Sequence, residues 1–236
     1  MRRIPGAVGL FPSHLRRNIE DYGLRIAMKK AIAIVSSPVY LHRVCRMSRA
    51  DLEERRPALC LPPKLFACRL VTCSDRSEIN QIEEMANWLR GSLEKRIREG
   101  CLCTVVLNGK NVAGFNLTTF GKVYFRQLNR SWSIKPQEAW SEDTFIVKAY
   151  RNMGLGAQLG SFVFQTLESQ GVKYVYSGIF EWNVASQKSA EKIGFRPFLD
   201  VHYKKVFSSE VWQLEWLPAS FNEIGFREQW QGQFAS

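Results

Sequence analysis

Tyr150-Arg151-Asn152-Met153-Gly154-Leu155-Gly156-Ala157-Gln158-Leu159 is the stretch on which the reading of this chain turns. It places two glycines at the opening of an apolar helical pattern that runs from about 154 to 170 and is stopped by Gly171. The first turn of a helix has backbone N–H groups without intrahelical partners, and they lie at the positive end of the macrodipole, so such a turn suits phosphate oxygens. Gly154 and Gly156 carry no Cβ to hold a ligand away. The spacing is neither that of a P-loop, since no Gly-Lys-Ser/Thr follows, nor GxGxxG. Taken alone, a structural turn reads equally well.

Outward from this point the elements alternate. Upstream, 65–73 reads as a strand, and Asp75 with Glu78 forms a capping box that starts helical pattern running to Gly100. Apolar runs at 101–107 and 111–119 surround Asn108-Gly109-Lys110 and predict a hairpin. The stretch 124–134 is expected to continue the sheet, followed by a strand at 140–148. Downstream come a strand at 173–180, a short helix at 183–193 stopped by Gly194, and strands at 201–207 and 211–217 joined by Ser208-Ser209. Before residue 65, Leu24, Ala27, Met28, Ala31, Ile32 and Val35 recur at helical spacing among Arg25, Lys29 and Lys30, which predicts an amphipathic helix over 22–36. Residues 39–47 fit a strand, and 54–63 reads as a linker.

Arg151-x-x-Gly154-x-Gly156 resembles the Arg/Gln-x-x-Gly-x-Gly/Ala pyrophosphate loop of the GNAT N-acetyltransferase superfamily. Asn183-x-x-Ser186-x-x-x-x-Glu191-Lys192-x-Gly194-Phe195 looks like that superfamily's next motif, at the proper separation. The resemblance covers about 66–217. It implies an α/β (α+β) fold with a mixed, largely antiparallel central sheet flanked by helices. The division is then a basic N-terminal extension at 1–64, an acyltransferase domain at 65–217 and an aromatic tail at 218–236. It also implies acetyl-CoA or another acyl-CoA as co-substrate. The strand before the loop, Ile146-Val147-Lys148, would splay from its neighbour and meet the pantetheine arm. Arg151, Asn152, Met153, Gly154, Leu155, Gly156 and Ala157 would hold the pyrophosphate, and Asn183 would contact the pantetheine.

Acyl transfer to an amine needs a base for the ammonium proton and an acid for the departing thiolate. The superfamily often places a carboxylate on its fourth main strand. Glu142 shares strand parity with Ile146, as does Glu138, whereas Asp143 is expected on the other face; the order of preference is Glu142, Glu138, Asp143. The tyrosine that many relatives carry seven residues after the asparagine is replaced by Ala190. The Asn-x-x-Ser pattern resembles ribosomal-protein alanine acetyltransferases and makes Ser186 the candidate acid, with Ser189 behind it. Tyr150 reads as packing. Trp132 and Trp140 stand where acceptors enter such proteins, either as an acceptor wall or as core, and Phe226 and Trp230 of the tail should dock somewhere.

The 236 residues carry a net charge of +11, concentrated at the N-terminus: 13 Lys+Arg against 5 Asp+Glu in residues 1–64, but 20 against 17 thereafter. Such a segment suits anionic lipid, an acidic protein or RNA, yet no nucleic-acid-binding motif accompanies it. No apolar window is long enough to cross a bilayer, and Met1-Arg2-Arg3 leads to Pro5 and Pro12 without a signal-peptide core. Cys45, Cys60, Cys68, Cys73, Cys101 and Cys103 form no CxxC, and His14, His42 and His202 are far apart, so no metal site is expected. Buried reduced thiols point to a cytoplasmic protein, peripheral to a membrane if the helix binds one. The expected activity is acyl transfer from acyl-CoA to a primary amine of unspecified identity. A long-chain acyl-CoA or acyl-carrier-protein N-acyltransferase at a membrane and a non-catalytic acyl-CoA binder stay open; oligomeric state is not legible.

Overall fold

The computed structural model describes residues 23–24, 26–28, 32, 40–54, 65–218, 221 and 225–234. The expected linker, apart from Glu54, and the rest of the 22–36 helix lie outside them. In chain order the elements are β1 (Tyr40–Asp51), β2 (Phe66–Val71), α1 (Arg76–Met85), α2 (Leu93–Arg98), β3 (Leu102–Asn108) and β4 (Asn111–Thr119). There follow β5 (Lys122–Phe125), β6 (Arg130–Ser133), β7 (Glu138–Ile146), α3 (Leu155–Ser169), β8 (Tyr174–Phe180), α4 (Val184–Lys192), β9 (Arg196–Val206), β10 (Ser209–Trp216) and α5 (Phe226–Phe234). Eight strands form one sheet in the order β10-β9-β1-β8-β7-β4-β3-β2. Among the described residues β7 and β8 pair in parallel, and every other ladder is antiparallel.

The sheet is covered on both faces. Leu155, Leu159, Val163, Phe164 and Leu167 recur along one side of α3 and are buried, where they meet Val106, Ala113 and Ile146 at one end and Ala139 and Val175 at the other. α4 touches α3 so closely that a Cβ on Gly160 would lie 2.5 Å from Ile193 Cδ1. On the opposite face Ile79 and Ile82 of α1 pack on Val105, Phe115 and Leu117. Phe226, Trp230 and Phe234, four residues apart on α5, bury against Trp132, Tyr176 and Phe198. The aromatic tail therefore docks on the sheet, with Arg130 Nε donating to Gln233 O (3.0 Å).

Four expectations need correction. The boundary after residue 64 cuts through the sheet: β1 lies inside it, paired with β8 over 45–51 and with β9 over 40–49. The helical pattern to Gly100 is broken into α1 and α2, with Gly91 at φ +72° between them. Asp75 does not cap α1 through its side chain; it accepts from Thr72 N and Oγ1 and from Arg69, while Glu78 also pairs with Arg69. Residues 124–134 do not extend the sheet, because β4 has both edges occupied by β3 and β7. They fold instead into the separate β5–β6 hairpin laid across it. Phe125 of that hairpin rests over Gly178, where a Cβ would be 2.7 Å from Phe125 Cζ.

Candidate active site

β7 and β8 run together only from Glu138/Tyr174 to Ser141/Ser177. Beyond that point β7 stays with β4, through Thr144/Asn116 and Ile146/Gly114, and β8 stays with β1, through Gly178/Met47 and Phe180/Cys45. The two parallel strands thus part and leave a wedge between them. At the open end of the wedge, Lys148–Tyr150 forms a 3-10 turn, and the chain then enters α3. Asn152 (φ +65°) and Gly154 (φ +77°) both take left-handed backbone, on either side of Met153. A run of alternating hand turns successive N–H groups into one concavity, an anion-binding nest. The first helical bonds run from Ala157 and Gln158 N–H to Gly154 O, so the Leu155 and Gly156 N–H groups precede them. A Cβ on Gly154 would meet nothing within 4 Å, which leaves open space in front of the nest; at Gly156 it would meet Ser189 Oγ at 3.3 Å. These features fit a pyrophosphate.

Of the strand residues expected to face a pantetheine arm, Ile146 O accepts from Arg151 Nε (3.2 Å) and Val147 N–H donates to Ala113 O (2.9 Å). A ligand at Ile146 O has to displace or share the Arg151 contact. Asn183 accepts at Oδ1 from Ser186 N (3.3 Å) and so caps α4. Gln187, one residue on, donates from Nε2 to Phe180 O (2.9 Å) and Glu181 O (3.1 Å), which ties α4 to the end of β8. Ser186 is half-buried in the first turn of α4, whereas Ser189 is exposed beside the loop. Tyr150 packs edge-on against Phe66 (5.6 Å) and accepts from Asn108 Nδ2 (3.3 Å), as a packing residue would.

The parity argument for the base fails at a bulge. Leu117 pairs with Asp143 and Thr118 with Ser141, so Glu142 is the extra residue of β7. Ser141 and Thr144 consequently share a face, both accepting from Asn116 Nδ2 (2.9 and 2.8 Å). Glu142 and Asp143 share the other: Glu142 pairs with Arg96 of α2, and Asp143 accepts from Trp88 Nε1 (3.1 Å). Ile146 lies with α3, opposite Glu142. Burial pushes the Glu142 carboxyl up, aided by Asp143, while Arg96 and Arg126 hold it down. Arg96 and Arg126 were not legible in the sequence; they stand 46 and 16 positions from Glu142 and reach it only through tertiary packing.

Glu138 is elsewhere. It is 3% exposed at the closed end of the strand pair and accepts from Lys135 N (2.7 Å), Tyr176 Oη (3.1 Å) and Gln229 Nε2 (3.4 Å). It lines a 650 Å³ groove with Tyr174, Tyr176 and Phe226. The nearby Arg49 guanidinium, itself buried, stacks over Phe221 (3.5 Å) and Tyr174 (4.4 Å). Trp132 and Trp140 are buried and meet edge-on at 5.0 Å within the Phe125 and Trp230 cluster, so they are core and not an acceptor wall. Burial raises the Cys101 thiol to about 11 and Cys103 to about 12, which leaves both protonated. Among the described residues no group of three His, Cys, Asp or Glu is placed to hold a metal, and no helix is long and apolar enough to cross a membrane.

A family model described as the acetyltransferase (GNAT) family matches residues 67–195. Similar solved structures include a GCN5-related N-acetyltransferase from Sphaerobacter thermophilus (14% identity, TM-score 0.50, covering 86% of this chain and 71% of that one). Another is a GCN5-related N-acetyltransferase-like protein from Streptococcus suis (17%, 0.50, 79% and 68%). A third is the glucosamine N-acetyltransferase region of a fungal multi-domain GH3 β-N-acetylglucosaminidase (12%, 0.52, 74%), of which this chain spans 22%. At these identities the likeness is one of fold. No curated protein sequence matches the chain.

Proposed function

The chain belongs to the acetyltransferase (GNAT) family, and on that premise we propose that it transfers an acyl group, most simply acetyl, from acyl-CoA to a primary amine by direct attack. The observation that carries the reading is the wedge between β7 and β8, opening beside the alternating-hand loop at the start of α3. Residues 151–157 hold the pyrophosphate through backbone N–H groups, and Ile146, Val147, Lys148 and Asn183 border the pantetheine. Bound acyl-CoA supplies the activated acyl carbon. As the amine attacks, a C–N bond forms and the C–S bond breaks; Glu142 takes the ammonium proton and the Ser186 hydroxyl serves the departing thiolate. Burial, which raises the Glu142 carboxyl, makes it a stronger proton acceptor than an exposed carboxylate. Arg96 keeps the same carboxyl oriented and ionised between turnovers. Glu138, at the closed end and already saturated with donors, is left with a structural role.

The test is an amine screen with acetyl-CoA and a medium-chain acyl-CoA, scored by acylated product in a mass spectrum. Product with acetyl-CoA supports the reading. Product only with the longer chain favours a lipid-directed N-acyltransferase, and CoA binding without product for any amine favours a non-catalytic acyl-CoA binder.

A further inference from the structure

Among the described residues, no helix packs over the β1–β9–β10 end of the sheet face that carries α3 and α4. Directly opposed residues of antiparallel strands share a face, so Tyr40, Val206 and Ser209 form one row there and His42, Lys204 and Val211 another. Tyr40 and Val206 are each 47% exposed, and Val211 is 56% exposed. At the tip of the same hairpin Phe207 is 66% exposed and held at φ +53°. A two-residue hairpin turn of this kind favours Asn or Gly, and a bulky residue adopts positive φ only at a cost. The fold therefore carries an exposed aromatic ring where local stability argues against one.

A second apolar surface is tethered to this one. Leu24, Met28 and Ile32 lie four residues apart in helical backbone and are all exposed, whereas Ala27 between them is buried. Ile32 and Tyr40 are only eight positions apart in sequence, a reach of at most about 29 Å. Arg25, Lys29 and Lys30 are interleaved in the stripe's sequence, Lys204 stands inside the sheet patch, and residues 1–64, with 13 Lys+Arg against 5 Asp+Glu, carry most of the chain's net charge of +11.

We propose that Tyr40, Val206, Phe207 and Val211, together with the Leu24, Met28 and Ile32 stripe, form a docking face for the surface of an anionic lipid bilayer. Shallow insertion of aromatic and aliphatic side chains, with cations at their borders facing acidic headgroups, is the chemistry of interfacial attachment. Charge decides against a second copy of the chain, because pairing two such faces would oppose like charges. This attachment is independent of the acyl-transfer reading, and it uses none of the residues assigned to the cleft.

The test uses the full-length chain and sedimentation with phosphatidylcholine vesicles, with and without phosphatidylserine. Binding is expected only to the anionic vesicles and should weaken as salt rises. Phe207→Asn suits the positive φ, so it should keep the melting temperature while lowering the partition coefficient about tenfold, the loss expected from one buried phenyl group. Val211→Ser and the double change Leu24→Ser/Ile32→Ser should lower it too. The proposal is overturned if wild type ignores anionic vesicles at low salt, or if folded Phe207→Asn and Val211→Ser proteins bind as wild type does. It is equally overturned if sedimentation velocity finds a dimer that Phe207→Asn dissolves, since the face would then serve a second copy.

Discussion

Replacing Gly154 by valine isolates what the loop contributes. Gly154 sits at φ +77° and a Cβ there would touch nothing within 4 Å, so the penalty in the free protein is conformational and not a clash. An L residue in left-handed backbone costs about 1–2 kcal/mol, with a β-branched side chain at the upper end or above. At roughly 2–4 °C per kcal/mol for a chain of this size, the melting temperature should fall by about 2–8 °C. Coenzyme A at about 100 times its dissociation constant should stabilise wild type by about 2.7 kcal/mol, a rise of about 5–11 °C. In the variant either the loop keeps its turn and projects methyl groups into the space in front of the nest, or it relaxes and loses the nest. Both routes deny phosphate the backbone N–H groups, so less than about a third of the ligand-induced rise should survive. Gly156→Ala is the control: its Cβ meets only the rotatable Ser189 hydroxyl, at 3.3 Å, and most of the rise should remain. Thermal melts with and without coenzyme A decide the matter. A folded Gly154→Val protein stabilised as strongly as wild type would refute the pyrophosphate assignment.

The remaining predictions concern the base, the buried carboxylate, the tail and β1. Glu142→Gln should lower turnover by about 10²-fold or more, and Ser186→Ala should act more mildly because thiolate is a tolerable leaving group. Burial and Asp143 raise the Glu142 carboxyl, so the acid limb of kcat/KM should lie above the usual carboxylate range, with activity lost as pH falls through it. Removing the lowering charge by Arg96→Met should move that limb further up; an unmoved limb counts against Glu142 as base. Glu138→Gln should leave turnover near wild type but lower stability in urea unfolding by about 1.5–3 kcal/mol, as for hydrogen bonds to a charged group; the reverse pattern would make Glu138 the base. Trp230→Ala should cost about 3–5 kcal/mol, read by the same unfolding, because it empties a buried site under α5. A chain beginning near residue 62 should not yield the native fold, since it lacks β1 from the middle of the sheet; a native-like circular dichroism melt from it would contradict the topology.

The loop from Arg151 to Gly156, the motif from Asn183 to Phe195 and the α/β order of elements were legible in the sequence because each rests on local rules. Glycine is needed where the backbone turns left-handed, helical periodicity shows in α3, and an apolar run broken by Asn108-Gly109-Lys110 closes a hairpin. The same locality misled at Glu142: strand parity counts residues along one chain, but the bulge that turns Glu142 toward Arg96 is set by register against β4. Edge availability excluded 124–134 from the sheet, and the space between β8 and β9 drew in β1 from a segment whose charge suggested an appendage. The burial of Trp132 and Trp140 likewise followed from where α5 and the β5–β6 hairpin came to rest. Propensity and pattern determine which elements form and where a phosphate can sit, since those energies act over a few residues. Tertiary structure decided which face each side chain takes and which charge it meets, because strand pairing and packing join residues that no short-range term connects.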